Sequence, residues 1–212
     1  MRIYLLAFFA LTTSHSFAQE KHLFDLETGP MYSSLRTEGG RVLGKRVYLL
    51  AGINYKYSLQ PVLAIKTGLF FERKGVRFDN MIPMPFPSKV SQKVSVNYDY
   101  IVMPLQLSLK TKGDTFFYSN VGIFLGVLLS QKIIFHPYLS HPGFTEDHTS
   151  ETRRYDLGPL IETGIGFQFL GRKCEAGLRI CMGLVDTNMA EGPNVVDPVF
   201  TNSMGIKLGV GI

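Results

Sequence analysis

The stretch LIETGIGFQFLGRKCEAGLRICMGL, residues 160–184, is typical of a β-hairpin with two unlike faces. In the first arm, every second residue from Ile161 to Phe169 is apolar or threonine, and the residues between are mostly glycine, glutamate and glutamine. The second arm repeats this alternation from Cys174 to Leu184. Because successive side chains of a strand point to opposite faces, one face is apolar and its reverse mixes glycine with charge.

The same two-faced pattern recurs along most of the chain and predicts about eight strands. Most are ten to sixteen residues long, whereas strands of soluble proteins average about five to six residues and a tilted strand needs about nine to eleven to cross a bilayer. The predicted strands are residues 23–35, 46–57, 62–73, 98–110, 116–131, 155–169, 173–185 and 200–212.

The connections between these strands alternate in length. Three are short, at residues 58–61, 111–115 and 170–172, and the longer ones are residues 36–45, 74–97, 132–154 and 186–199. An even number of membrane-length strands with tight turns at one end and long loops at the other is typical of an outer-membrane barrel. The sequence therefore predicts an all-β fold, an eight-stranded antiparallel up-and-down transmembrane β-barrel with short periplasmic turns and long extracellular loops.

The first residues, MRIYLLAFFALTTSHSFAQE, predict an export signal over residues 1–18, followed by one barrel domain over residues 19–212. Arg2 is followed by a nine-residue apolar run, and Ser16 and Ala18 suit signal peptidase cleavage. The apolar run is too short for a transmembrane helix.

Composition argues against other classes of protein. The net charge of +5 is modest and is not gathered into a basic block, which disfavours nucleic-acid binding. The two cysteines, Cys174 and Cys181, are seven residues apart on one predicted strand, so they lie on opposite faces and cannot form a disulfide.

Either face of the strands could in principle point outward. In a soluble periplasmic calyx of the lipocalin type, the apolar face would line a cavity for an apolar ligand. The membrane interpretation is favoured because glycine concentrates on the polar face, where it relieves crowding inside a narrow barrel. Charges of both signs on that face predict a neutralised network in the lumen, formed by Asp25, Glu27, Lys56, Lys66, Glu72, Glu162, Glu175, Arg179 and Lys207.

The quoted hairpin also gives a register. If Gly171 and Arg172 form its two-residue turn, the residue numbers of facing pairs sum to 343. Glu162 then faces Cys181 and lies diagonal to Arg179, while Gly164 leaves room for the arginine side chain. We therefore expect an ion pair between Glu162 and Arg179 in the lumen.

Several phrases resemble the PorT-type outer-membrane β-barrel domain of Bacteroidetes: an export signal ending FAQE, LFDLETGPMYSSL, LAIKTGLFFERKG, YDYIVMPLQLSLK and DLGPLIETGIGFQF. The resemblance covers residues 19–212 and implies a barrel akin to OmpX and OmpA, inserted from the periplasm. It implies as partners outer-membrane lipid and the barrel-insertion machinery, and in some relatives a secretion complex. Ile212 departs from the aromatic residue that usually ends such barrels.

Two long loops could carry further function. The loop 132–154 contains His136, His141, His148, Glu146, Asp147 and Glu151, which are suitable zinc ligands at spacings that match no metal motif. The segment MIPMPFPSK, residues 81–89, could form a contact surface. We therefore predict no cofactor, no metal and no enzymatic activity, and a structural or interaction role through the outer loops or in secretion or surface assembly. The rival is a barrel enzyme with a site at the outer rim.

Overall fold

The computed structural model describes residues 21–82, 90–137, 141–187 and 198–212. The predicted export signal lies outside these ranges, as do residues 83–89 of the proline-rich segment. The strands, numbered in chain order, are β1 (His22–Thr37), β2 (Val42–Gln60), β3 (Leu63–Ile82), β4 (Val90–Lys110), β5 (Phe116–Phe135), β6 (Phe144–Asp147), β7 (Tyr155–Phe169), β8 (Arg172–Met182) and β9 (Val199–Gly211), with a 3-10 turn at Thr149–Glu151.

Eight of these strands form a closed antiparallel ring. Each strand pairs with the next in the order β1, β2, β3, β4, β5, β7, β8 and β9, and β9 closes the ring on β1. The closing register sets Leu26 opposite Val210 and Tyr32 opposite Met204. The predicted up-and-down eight-stranded barrel is therefore confirmed.

The strands at the long-loop end extend further than the sequence patterns indicated. Residues 74–97 do not form one long loop, because β3 and β4 continue to pair as far as Ile82 opposite Val90. β5 likewise continues to Phe135, and the unpredicted β6 pairs with this added part of β5. Only residues 38–41 separate β1 from β2, whereas the sequence predicted a ten-residue loop. Backbone pairing with a neighbouring strand maintains these extensions where the two-faced side-chain pattern no longer predicts them.

The register predicted for the β7–β8 hairpin is wrong by two residues. The turn is formed by Leu170 and Gly171, with φ values of 50° and 75°. Two successive positive φ values define the type I′ turn that suits the twist of a hairpin. Facing pairs therefore sum to 341, so that Glu162 lies directly opposite Arg179. A shift of two residues keeps each side chain on its predicted face, because the strand period is two.

The apolar face of the ring points outward. Val47, Leu49 and Leu69 are 60%, 62% and 57% exposed, although each is a large aliphatic residue within a strand. A calyx would bury this face, so its exposure opposes the soluble alternative. Among the described residues, no helix is both long enough and apolar enough to cross a membrane.

The interior of the ring is filled by side chains, including an apolar layer that the sequence analysis did not predict. These buried residues lie on the otherwise polar inner face: Met31, Leu50, Phe70, Val102, Phe124, Leu160 and Cys181. Nearer the short turns, the Tyr118 hydroxyl lies against Gly164 and Gly177, where a Cβ atom would come within 2.7 Å and 2.3 Å of it. The space that Gly164 leaves is therefore occupied by Tyr118 and not, as predicted, by Arg179.

Candidate functional site

The lumen contains a buried charge network centred on Glu162. The Arg179 guanidinium donates to Glu162 Oε1 from Nη1 at 3.0 Å. Lys66 Nζ lies 2.8 Å and Lys207 Nζ 2.9 Å from Glu162 Oε2. Asn120 Nδ2 also donates to Oε2 at 2.8 Å. Glu162 and its three cationic partners are buried completely. One buried carboxylate is therefore the shared ion-pair partner of three buried cations.

Glu27 supplies the second negative charge of this layer. Its Oε1 atom lies 2.8 Å from both Lys66 Nζ and Lys207 Nζ. Each of these lysines therefore bridges Glu27 on β1 and Glu162 on β7, across the ring. Because buried charges are tolerated only when they are paired and hydrogen-bonded, this bridging fixes the strands around a filled interior.

A second charged layer lies closer to the short turns. Lys56 Nζ is 2.8 Å from Asp25 Oδ2 and 2.5 Å from Glu175 Oε1. Among the described residues, Asp25, Glu27 and Glu175 are the acidic or imidazole side chains that could jointly reach a metal ion, with ligand atoms within 4.8 Å of one another. Lys56, Lys66 and Lys207 already supply three cationic charges to these three carboxylates, so the group is neutralised as it stands.

A third polar layer lies toward the long loops, and the sequence analysis missed most of it. Lys74 Nζ lies 3.0 Å from Asp156 Oδ2 and donates to Thr201 Oγ1 at 3.2 Å. Ser203 donates to Glu72 Oε1 at 2.6 Å in the same part of the lumen. Lys74 was assigned to a loop because its strand was predicted to end at residue 73. Asp156 lies on the polar face of a predicted strand, which is the signal that could have identified it.

All nine side chains predicted for the lumen lie inside the ring, but the structure distributes them over more than one layer. Eight of them belong to the two layers nearer the short turns. Glu72 is separate, because its hydrogen-bond partner is Ser203 and no cation of the described residues lies within ion-pair distance of it. In the two layers nearer the short turns, the charged side chains bond mainly to one another. This arrangement neutralises their charges and fills the lumen.

The loop histidines do not converge on one site. The His136 ring contacts Ser95, with 2.9 Å between Nε2 and Oγ, whereas His148 lies between Glu146 and Glu151. Ser95 is fully buried, and no carboxylate of the described residues bonds to the His136 imidazole. Substrate therefore cannot reach Ser95, and His136 lacks the acid that orients the base in a nucleophile–base pair.

The stability of the segment formed by β6 and the following 3-10 turn should depend on pH through His148. Hydrogen bonds that the His148 ring donates to Glu151, and then to Glu146, raise the pKa of His148, so the folded segment favours the protonated imidazole. This stabilisation is complete below the ordinary histidine pKa of about 6.5 and is lost as the pH rises through the raised value. Amide hydrogen exchange at Thr149 should therefore accelerate between pH about 6 and about 8, beyond the intrinsic base catalysis.

The matched control for this pH dependence is His148→Gln, which keeps a polar side chain but cannot titrate. Protection of Thr149, corrected for intrinsic exchange, should then be independent of pH in this range. An unchanged dependence in the variant would assign the titration to another group.

Comparisons with known proteins identify one family and several solved structures to which the chain is similar. Residues 17–188 match the family model described as outer membrane protein beta-barrel domain. No curated protein matches the chain. Among solved structures, the chain is similar to Ail of Yersinia pestis in complex with the heparin analogue sucrose octasulfate, at 11% identity and a TM-score of 0.45, covering 91% of this chain and 100% of that one.

Two further solved structures have similar sequence identities and TM-scores. Neisserial surface protein A has 11% identity and a TM-score of 0.43, with 88% of this chain and 96% of that chain covered. OprG of Pseudomonas aeruginosa has 10% identity and a TM-score of 0.43, with 91% and 97% covered. The closed ring, its exposed apolar face and the family match over residues 17–188 lead to one assignment. The chain belongs to the outer membrane protein beta-barrel domain family and resides in the cell outer membrane.

Proposed function

We propose that this barrel is a non-conducting interaction protein that presents a raised sheet at its outer end to a protein partner. The observation that carries the proposal is the length of three adjacent strands. β3, β4 and β5 contain 20, 21 and 20 residues, whereas about nine to eleven residues suffice to cross a bilayer. At about 3.3 Å per residue, the remaining ten or so residues add roughly 30 Å of length along each tilted strand.

The raised sheet consists of the outer parts of β3, β4 and β5 together with β6, and it carries exposed aromatic residues, which supports a role in recognition. One row of facing residues crosses all four of its strands and consists of Phe78, Val94, Phe135 and Phe144. The Phe135 and Phe144 rings stack at a centroid distance of 4.4 Å, and Phe144 remains 51% exposed. Exposed aromatic residues on a rigid element are the usual anchors of protein interfaces.

The PorT-type resemblance supports a more specific partner, namely a component of a secretion or surface-assembly complex. In this proposal the short turns face the periplasm and the raised sheet faces outward, as in other outer-membrane barrels. The proposal assigns no catalytic role. The charged lumen residues other than Glu72 are held in ion pairs, and at the outer end His136 and His148 contact different partners. Outer-membrane lipid and the barrel-insertion machinery are its general partners.

The experiment that tests this function is a pull-down from native membranes with the tagged full-length barrel. We expect a defined protein to co-purify with the wild type and to be lost with Phe144→Ser on the raised sheet. The matched control is Leu170→Ser, since Leu170 is 87% exposed in the β7–β8 turn at the opposite end. Equal recovery with all three proteins, or no partner with any of them, would contradict the proposed role.

The packed lumen also predicts that the barrel does not conduct ions. The apolar layer and the charged layers fill the ring from wall to wall, with Phe70, Phe124, Lys66 and Arg179 almost completely buried. An interior of about eight strands is just wide enough for its own side chains. Planar-bilayer recordings of the purified barrel should therefore show no stable open channel. Large and reproducible conductance steps would mean that the interior opens.

A further inference from the structure

A seam in the barrel wall separates β2 from β3 at the outer end. Backbone pairing between these strands ends at Leu50 opposite Glu72 among the described residues, although β2 continues outward to Val42 and β3 to Ile82. The strands approach again near Gly44, where a Cβ atom would lie 2.8 Å from the Arg77 carbonyl oxygen. The seam is therefore a bounded slot and not a general fraying of the sheet.

Side chains from both sides occupy this slot. Tyr48 reaches from β2 past β3 and donates its hydroxyl hydrogen to Asn97 Oδ1 on β4 at 2.6 Å. The Arg46 guanidinium lies over the Tyr48 ring, 5.0 Å from its centroid. Arg46 Nη1 is buried and has no hydrogen-bond partner among the described residues. A buried guanidinium nitrogen without an acceptor is costly, so an anion bound here would remove that cost.

More positive charge converges on the same place from β3, β4 and the end of β5. Arg77 Nε donates to Ser95 Oγ at 3.2 Å, and Ser95 in turn contacts His136. Burial and then the charges of Arg77, Arg46 and Lys93 lower the pKa of His136. Arg77 lies opposite Ser95, and Lys93 precedes Ser95 by two residues, so Arg77 and Lys93 lie on one face of the β3–β4 pair. Positive charge therefore exceeds negative charge on this face.

Two acids, Asp79 and Asp99, lie near this cluster without pairing with its cations. Asp79 on β3 lies directly opposite Lys93 on β4, but among the described residues no ion pair joins the two side chains. Asp99 is held by Arg73 through two hydrogen bonds, of 2.5 Å and 2.8 Å, and also accepts one from Ser130. No carboxylate of the described chain lies within ion-pair distance of Arg46, Arg77 or Lys93. In the lumen, by contrast, buried cations are neutralised by carboxylates within 3.0 Å.

We propose that the seam between β2 and β3 is a binding site for a phosphate group, held by Arg46, Arg77 and Lys93. Guanidinium groups are suited to phosphate oxygens because their N–H donors form parallel charge-assisted bonds. The seam lies at the outer end of the barrel wall, so the phosphate can belong to an outer-leaflet glycolipid or to a soluble phosphate ester.

The test is a calorimetric titration of the detergent-solubilised full-length barrel with inorganic pyrophosphate. Arg46→Gln, Arg77→Gln and Lys93→Gln should each weaken binding roughly tenfold, the usual effect of losing one charge-assisted contact. The matched control is Arg154→Gln, which removes the same charge from an exposed position before β7 and should bind as the wild type does. Lys93→Gln carries little risk of misfolding, since the Lys93 ammonium contacts no described side chain, and circular dichroism checks the folding of every variant.

Repeating the titration in phosphatidylcholine nanodiscs with and without lipid A separates the two sources of phosphate. If lipid A weakens the binding of pyrophosphate, a glycolipid phosphate occupies the seam; if it does not, the ligand is a soluble phosphate ester. The proposal is overturned if the wild type does not bind pyrophosphate, if Arg154→Gln weakens binding as much as the seam variants, or if Arg46→Gln alone has an effect.

Discussion

Replacing Glu162 by glutamine should destabilise the barrel by about 3 to 5 kcal/mol, the usual cost of removing one partner from a buried ion pair. The variant keeps the shape of the side chain but leaves Arg179, Lys66 and Lys207 with one fewer negative charge in a water-poor interior. Guanidinium unfolding of the purified barrel should show a lower midpoint with an unchanged slope.

Adding Arg179→Met to Glu162→Gln should recover part of this loss, because it removes one of the unneutralised cations and fills the same volume. Arg179→Met alone should destabilise the barrel, since it leaves Glu162 with one fewer partner. If the two single losses simply add in the double variant, the residues are not coupled. Glu38→Gln, in the exposed turn between β1 and β2, is the matched control and should leave the unfolding midpoint unchanged.

Lys74→Met should have an effect of similar size, about 3 to 5 kcal/mol. Lys74 is fully buried, and its ammonium lies 3.0 Å from the Asp156 carboxylate. In the variant, Asp156 would keep only the Thr201 hydroxyl as a partner. The ammonium also lies 4.3 Å from the centroid of the Phe124 ring. Denaturant unfolding again provides the measurement.

The double variant Lys74→Met with Asp156→Asn should be more stable than Lys74→Met alone, because the unpaired carboxylate is neutralised. Lys132→Met removes an exposed lysine from the outer part of β5 and should have little effect on unfolding. A Lys74→Met protein as stable as the wild type would show that water reaches Asp156 and that this layer is open.

The alternation of apolar and polar residues predicts some features of this barrel and not others. Strand identity and facing were predictable, because each strand must offer an apolar face to lipid and a small or polar face to the lumen. The pattern identified Glu162, Lys66 and Lys207 as lumen residues without any knowledge of the strand register. The pattern did not indicate the apolar layer around Phe70 and Phe124. Apolar residues on the inner face interrupt the alternation of apolar and polar residues and do not by themselves show which way they point.

The turn residues could not be assigned from composition alone. Gly171 was identified as a turn residue, but its partner is Leu170 and not Arg172, although leucine is disfavoured at positive φ. The twist of two long strands selects the type I′ turn and overrides the local preference of one exposed residue. Because the error is an even number of residues, the predicted proximity of Glu162 and Arg179 survives it.

The sequence by itself determined the number of barrel strands, the outward apolar face, the up-and-down order and the charged residues of the two lumen layers nearer the short turns. These features follow from a period of two and from the thickness of a bilayer, which act on every strand separately. Only the tertiary structure decided the raised sheet of β3 to β6, the layer of Lys74 and Asp156, and the seam at Arg46. Each of these depends on which strands remain paired beyond the membrane, and pairing between distant segments is fixed by closure of the whole ring, not by the residues of one strand.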